Sequence, residues 1–174
     1  MTDALPSSTR WIVVGAGFAG ASTAWALARA GLGPGLVLER EPTCGVYASG
    51  RNAALAKVTE ADRVVRTLAV RSLRYFKHLD GGRGELLRPT GGLTLAGGTT
   101  YHDFERIRGA LAAEGLDTAV QSATAARARH PLVAALDFAV ALWCRDEGVV
   151  DIHALLTHYL QEARAAGFRL RTGC

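Results

Sequence analysis

Four apolar residues, Trp11-Ile12-Val13-Val14, run directly into Gly15-Ala16-Gly17-Phe18-Ala19-Gly20, and an alanine-rich stretch follows at once. No other segment restricts the fold so tightly. An apolar run without polar alternation suits a strand covered on both faces, as in a parallel sheet. Phe18 to Ala30 has the composition of a helix, and Gly31 suits its C-terminal cap. Gly33-Pro34-Gly35 reads as a turn. Leu36-Val37-Leu38 reads as a second buried strand, closed by Glu39. Strand, helix and parallel strand within about 30 residues make a βαβ unit.

The glycines match G-x-G-x-x-G, a weak signal alone and a stronger one between a strand and a helix. Gly15 permits the tight turn, Gly17 lets the backbone approach a pyrophosphate, and Gly20 lets the helix pack close to the sheet. The backbone N–H groups of the loop, through Ala16, Phe18 and Ala19, join the helix dipole in favouring an anion. Glu39 lies 19 residues after Gly20, at the tip of the second strand. A carboxylate there accepts both hydroxyl protons of an adenosine ribose and repels a 2′-phosphate, which disfavours NADP. On this evidence FAD and NAD fit equally well.

Composition narrows the classes. The chain has 174 residues, 49% apolar and 21% charged, enough for a sizeable core and without a disorder signature. The net charge of +4 comes from scattered arginines with no basic cluster among aromatics, so nucleic acid is not an expected partner. Cys44, Cys144 and Cys174 are odd in number and widely spaced, so neither a disulfide framework nor a metal site is expected. Reduced thiols, no signal core and no apolar run long enough for stable membrane insertion imply a cytoplasmic protein. The five histidines lack partners in sequence and read as surface or packing residues.

Downstream, Glu41–Ala56 reads as a loop. Glu60–Leu79 reads as an amphipathic helix with Val65, Leu68, Ala69, Leu73 and Phe76 inward and Arg63, Arg66, Arg74 and Lys77 on a solvated face. Leu86–Arg88 and Gly92–Ala96 read as β segments. Asp103–Glu114 is helical with Phe104, Ile107 and Leu111 inward, Ser122–Ala128 is a short helix, and Phe138–Cys144 is a strand. Asp151 caps a helix over Ile152–Ala166, and Phe168–Arg171 starts a further strand. The expected organisation is a tail over 1–10, a dinucleotide-binding βαβ unit and following helix over 11–80, an inserted α+β portion over 81–150, and a return helix and strand over 151–174.

After Glu39-Arg40 comes Gly45-Val46-Tyr47-Ala48-Ser49-Gly50-Arg51-Asn52-Ala53-Ala54. An acidic strand end followed by A-S-G-R-N-A-A resembles the second flavin-binding segment of the D-amino-acid oxidase, glycine oxidase and D-arginine dehydrogenase family. Arg88-Pro-Thr-Gly-Gly-Leu-Thr-Leu-Ala96 and Asp146-Glu-Gly-Val-Val-Asp151 resemble later family segments more softly, and the likeness runs from Trp11 to Arg171. It implies an α/β Rossmann-like FAD domain carrying part of a substrate domain, with FAD as cofactor. Gly15, Gly17 and Gly20 would then lie at the pyrophosphate, Glu39 at the ribose and Arg40 near the adenine. Ser49, Gly50, Arg51 and Asn52 would run beside the pyrophosphate and ribityl chain, with Ala53 and Ala54 near the flavin ring.

The family implies hydride transfer from a small amine or amino acid to flavin, with oxygen or another electron acceptor reoxidising it. Alternatives are the same fold acting on a 2-hydroxy acid or glycerol phosphate, a simple NAD-dependent dehydrogenase, or a non-catalytic nucleotide-binding module. No catalytic residue is evident. Leu55 stands where the D-arginine dehydrogenase pattern has histidine, and an acid is replaced near Gly92, which argues against a cationic amino acid as substrate. In the resembled family the chain continues well past this length. The sequence is therefore expected to be an N-terminal fragment or split-gene product, inactive and weak in FAD binding by itself, with a second chain as a candidate source of the remaining half.

Overall fold

The structure, a computed structural model, describes residues 7–97 and 101–174. The first six residues of the expected tail lie outside these. The described residues form two compact units, one within Met1–Ala53 and Asp151–Cys174 and the other within Ala54–Val150. The second unit takes in the long helix that the sequence reading attaches to the first.

In the first unit, β1 (Ile12–Val14) leads into α1 (Phe18–Arg29), and β2 (Gly35–Glu39) lies parallel to β1, with Val13 opposite Val37. The expected βαβ unit is present. After the inserted unit come a helix over Ile152–Ala165 and a strand over Phe168–Thr172, the latter pairing parallel to β2. The sheet order is therefore the first strand, then β2, then the strand ending at Thr172. Both helices pack against each other. Val13, Ala24, Val37, Ala163 and Phe168 form the core beneath them. Phe168 explains the glycine that opens β2: a Cβ on Gly35 would stand 2.3 Å from the Phe168 ring. Asp151 caps its helix as expected, its Oδ1 accepting from the Ala154 N–H at 2.8 Å.

β1 departs from expectation. Its apolar run predicts cover on both faces, yet Val14 is 83% exposed and Ile12 59%. Alternate residues of a strand face opposite ways, and the two helices cover the Val13 side.

The second unit begins with β3 (Leu55–Ala56), a strand inside the segment expected to be loop, and α2 (Arg63–Asp80). α2 starts three residues later than expected, because Asp62 caps it by accepting from the Val65 N–H at 2.9 Å. Its faces also differ from the expected ones. Val65 and Leu68 are exposed, whereas Arg66, assigned to the solvated face, is only 7% exposed. Arg66 Nη1 donates to the carbonyls of Glu60 and Ala61, satisfying the buried cation while its stem packs inward.

β4 (Leu87–Pro89) and β5 (Gly92–Ala96) serve different sheets. α3 (Tyr101–Ala113) buries Phe104, Ile107 and Leu111 as expected. β6 (Thr118–Ser122) was not foreseen. It precedes α4 (Ala123–Arg129), whose cap is Ser122. β7 (Val140–Cys144) and β8 (Gly148–Val150) follow; α5 is the Ile152–Ala165 helix and β9 the Phe168–Thr172 strand. The orders are β3-β8-β4 and β5-β7-β6, all antiparallel. Glu147, also buried, accepts from the Val58 and Thr59 N–H groups at 2.6 and 2.8 Å. Its carboxylate fills the space beside Gly92, where an added Cβ would meet Oε2 at 1.9 Å. That contact accounts for a glycine at this position.

Candidate dinucleotide site

The turn between β1 and α1 is held at both ends. Gly15, at φ +93°, donates its N–H to the Leu38 carbonyl at 2.7 Å. That backbone conformation favours glycine. Ala16 is fully buried and donates its N–H to Glu39 Oε2 at 2.7 Å. Gly17 is the N-cap of α1, in extended conformation and without a side chain to cap the helix. A Cβ on Gly20 would fall 1.8 Å from the Gly15 carbonyl oxygen, so the third glycine is what lets the helix start close against the loop.

The helix terminus is left open in the way an anion site requires. Among the described residues no protein group accepts from the N–H groups of Gly17, Ala19 or Gly20. The Phe18 N–H donates to Ser49 Oγ at 2.8 Å, which brings the second expected segment onto the first. A Cβ on Gly17 would press on the same Ser49 oxygen at 2.7 Å. The Ser49 hydroxyl accepts at this point and keeps its own proton to donate.

Glu39 closes the far side. Its Oε2 accepts from Ala16 and its Oε1 from the Glu41 N–H at 3.0 Å. These backbone donors, Glu41 first and Ala16 second, hold its carboxyl below the ordinary value, so it stays ionised. Each oxygen retains acceptor capacity for a sugar hydroxyl. Gly15, Gly17, Glu39, Arg40, Tyr47 and Ser49 are among the residues lining a cavity of about 680 Å³. Open N–H groups, glycines that leave room for a close approach and an ionised acid at one cavity fit the diphosphate and ribose of an adenine dinucleotide such as FAD.

The expected residues are not all gathered in one place. Gly15, Gly17, Glu39, Arg40 and Ser49 line the cavity in the first unit, Ala16 and Phe18 are tied to it through Glu39 and Ser49, Ala19 and Gly20 follow in α1, and Gly50 is exposed on the loop. Arg51 instead lies against the Tyr47 ring, its guanidinium carbon 5.5 Å from the centroid. Asn52 turns back to its own loop, donating from Nδ2 to the Ser49 carbonyl at 2.8 Å. Ala53 ends the first unit and Ala54, at φ +57°, begins the second. Seven lining residues were not among the expected site residues: Val14, Leu38, Gly45, Val46, Tyr47, Ala48 and Cys174. Tyr47 sits inside the quoted loop, but no spacing rule marks an aromatic there. Cys174 arrives only because β9 runs beside β2, its N–H donating to the Glu39 carbonyl at 3.3 Å.

A family model described as DAO, FAD dependent oxidoreductase, matches residues 10–174. The chain belongs to the FAD-dependent oxidoreductase family. Members of this family are enzymes and FAD is their cofactor. No curated protein sequence matches the chain. Solved structures share its fold. L-proline dehydrogenase from P. horikoshii superposes with a TM-score of 0.77 at 23% identity, over 97% of this chain and 45% of that one. Glycine oxidase from Geobacillus kaustophilus gives 0.69 at 22%, over 93% and 46%. L-alpha-glycerophosphate oxidase from Mycoplasma pneumoniae, solved with FAD bound, gives 0.66 at 12%, over 93% and 44%. This FAD-dependent oxidoreductase chain thus spans less than half the length of these structures. No helix among its described residues is long and apolar enough to cross a membrane.

Proposed function

We propose that this chain holds the adenosine diphosphate part of FAD at the β1–α1 turn, in an oxidoreductase that takes a hydride from a small amine or amino acid. The observation that carries the reading is the triangle of Ala16, Glu39 and Ser49 around the open start of α1. The N–H groups of Gly17, Ala19 and Gly20 and the hydroxyl of Ser49 would receive the phosphates. Glu39 would accept from the ribose, and Arg40 would flank the adenine. Arg51 and Asn52 would run beside the pyrophosphate and ribityl chain, with the backbone of Ala53 and Ala54 next along the strand of contacts. When bound, the flavin supplies the electron-accepting chemistry, and the protein supplies orientation and charge.

An amino-acid substrate is supported by the proline dehydrogenase and glycine oxidase likenesses. The glycerophosphate oxidase likeness favours a second reading, the same fold acting on glycerol phosphate. The partners this function calls for are a small-molecule substrate, an electron acceptor and the remainder of the family fold. Titration of FAD with the purified chain, followed by flavin fluorescence and absorbance, tests the cofactor assignment. Quenching that ADP reverses, and that Glu39→Lys abolishes, is the expected result. Unchanged FAD fluorescence together with no ADP binding by calorimetry overturns the assignment.

A further inference from the structure

We propose that Tyr47 is the positioning residue of this site: its ring and hydroxyl hold the Arg40 guanidinium beside the adenine, and its ring holds the Arg51 guanidinium ready for the phosphates of the bound nucleotide. The inference rests on the nucleotide reading above and adds to it a residue that no sequence pattern marks.

Tyr47 is half exposed and lines the cavity together with Gly15, Gly17 and Glu39. The Arg40 guanidinium carbon lies 5.6 Å from its ring centroid and that of Arg51 5.5 Å. Both are within the range at which a cation is drawn to an aromatic face. The hydroxyl end is tied as well. Tyr47 Oη donates to Glu41 Oε1 at 2.7 Å and accepts from Arg40 Nη2 at 3.2 Å. Arg40 Nε donates to that same Glu41 oxygen at 3.1 Å.

The two arginines are not equivalent. Arg40 is paired with Glu41. Arg51 has no carboxylate partner among the described residues and lies against the Tyr47 ring. Arg51 is exposed on a loop, two positions after the serine that touches the start of α1. A long side chain there loses considerable rotamer freedom when it engages an anion. A ring that already holds the guanidinium lowers that loss, which is how preorganisation raises affinity. Glu41 also donates its backbone N–H to Glu39, so one chain of contacts runs from the sugar-binding acid through Glu41 and Tyr47 to the unpaired cation.

The test compares ADP with adenosine, a probe pair that differs only in the phosphates, by calorimetry on the purified chain. Tyr47→Ala is expected to narrow the ADP-over-adenosine preference about threefold to fivefold, the size of one exposed cation–aromatic contact. It should also flatten the salt dependence of ADP binding. Tyr47→Phe and Tyr47→Trp keep a ring and are expected to retain most of the preference for ADP. In an Arg51→Gln background, Tyr47→Ala should cost much less, because the cation it positions is gone. A thermal melt of each variant checks folding, and little change is expected at a half-exposed side chain. If the wild-type chain binds ADP and Tyr47→Ala leaves the ADP-to-adenosine ratio unchanged, the positioning role is wrong and the nucleotide site stands. If the wild-type chain binds neither ADP nor FAD, the site assignment itself is wrong and this inference goes with it.

Discussion

Replacing Gly20 with alanine sets two effects of known size against each other. Alanine in place of a helical glycine stabilises by roughly 0.5–1 kcal/mol through lost chain entropy. Against this, the new methyl would stand 1.8 Å from the Gly15 carbonyl oxygen and 2.9 Å from its carbon. The obstacle is backbone, fixed by the Gly15 N–H bond to Leu38 and by the Ala16 bond to Glu39. Overpacking of this kind costs about 1–3 kcal/mol, so at mid-range the clash outweighs the propensity gain by about 1 kcal/mol. For a chain of this size each kcal/mol moves the melting temperature by roughly 2–4 °C. The matched control is Gly109 in α3, where an added Cβ meets nothing within 4 Å. Gly109→Ala should therefore raise the midpoint by about 2 °C and Gly20→Ala lower it by about 3 °C, both read by circular dichroism. Gly20→Ala should also weaken ADP binding, because the loop that yields is the one that carries the open N–H groups. A Gly20→Ala chain that melts as high as Gly109→Ala would refute the close-packing account of the third glycine.

Glu39 gives a pH test with a defined sign. Its folded carboxyl titrates below the ordinary value of 4.5, so its contribution is complete above that value and fades as pH falls through it. Glu39→Gln should lower the urea midpoint at neutral pH, and the gap to wild type should shrink in acid; a constant gap would rule out the linkage. Phe168→Ala empties the space between Gly35 and the α1–α5 layer and should cost about 3–5 kcal/mol, measured by denaturant unfolding. A loss below about 1 kcal/mol would mean that the first unit closes around the gap.

Local chemistry made the β1–α1 turn and its neighbours readable. Gly15, Gly17 and Gly20 are dictated by a turn, a close approach and a helix contact within a few residues of one another, and Glu39 closes the strand that follows. Asp151 was equally plain, since a cap acts on the next turn of helix. Residues whose partners only the folded backbone brings into reach were hidden. Arg66 looked like part of a charged stripe, and only the folded turn shows two carbonyls waiting for it. Strand β6 was missed because Thr118–Ser122 is short and mixed in character, and its pairing with β7 fixes it instead. Tyr47 depends on side-chain geometry between three loop positions, which spacing does not encode.

The pairing of Gly35 with Phe168 also sets an order of events during synthesis. The glycine loop emerges early, yet its sheet lacks its third strand until the whole Ala54–Val150 segment has been made and has brought its ends back together. Joining such distant segments is slow, because a long loop must be closed before the contacts reward it. The inserted segment therefore acts as a tether whose own collapse decides how soon β9 finds β2. A lesion in its packing would delay completion of a sheet to which it contributes no strand, and would lengthen the time the bare edge of β2 stands open to wrong partners.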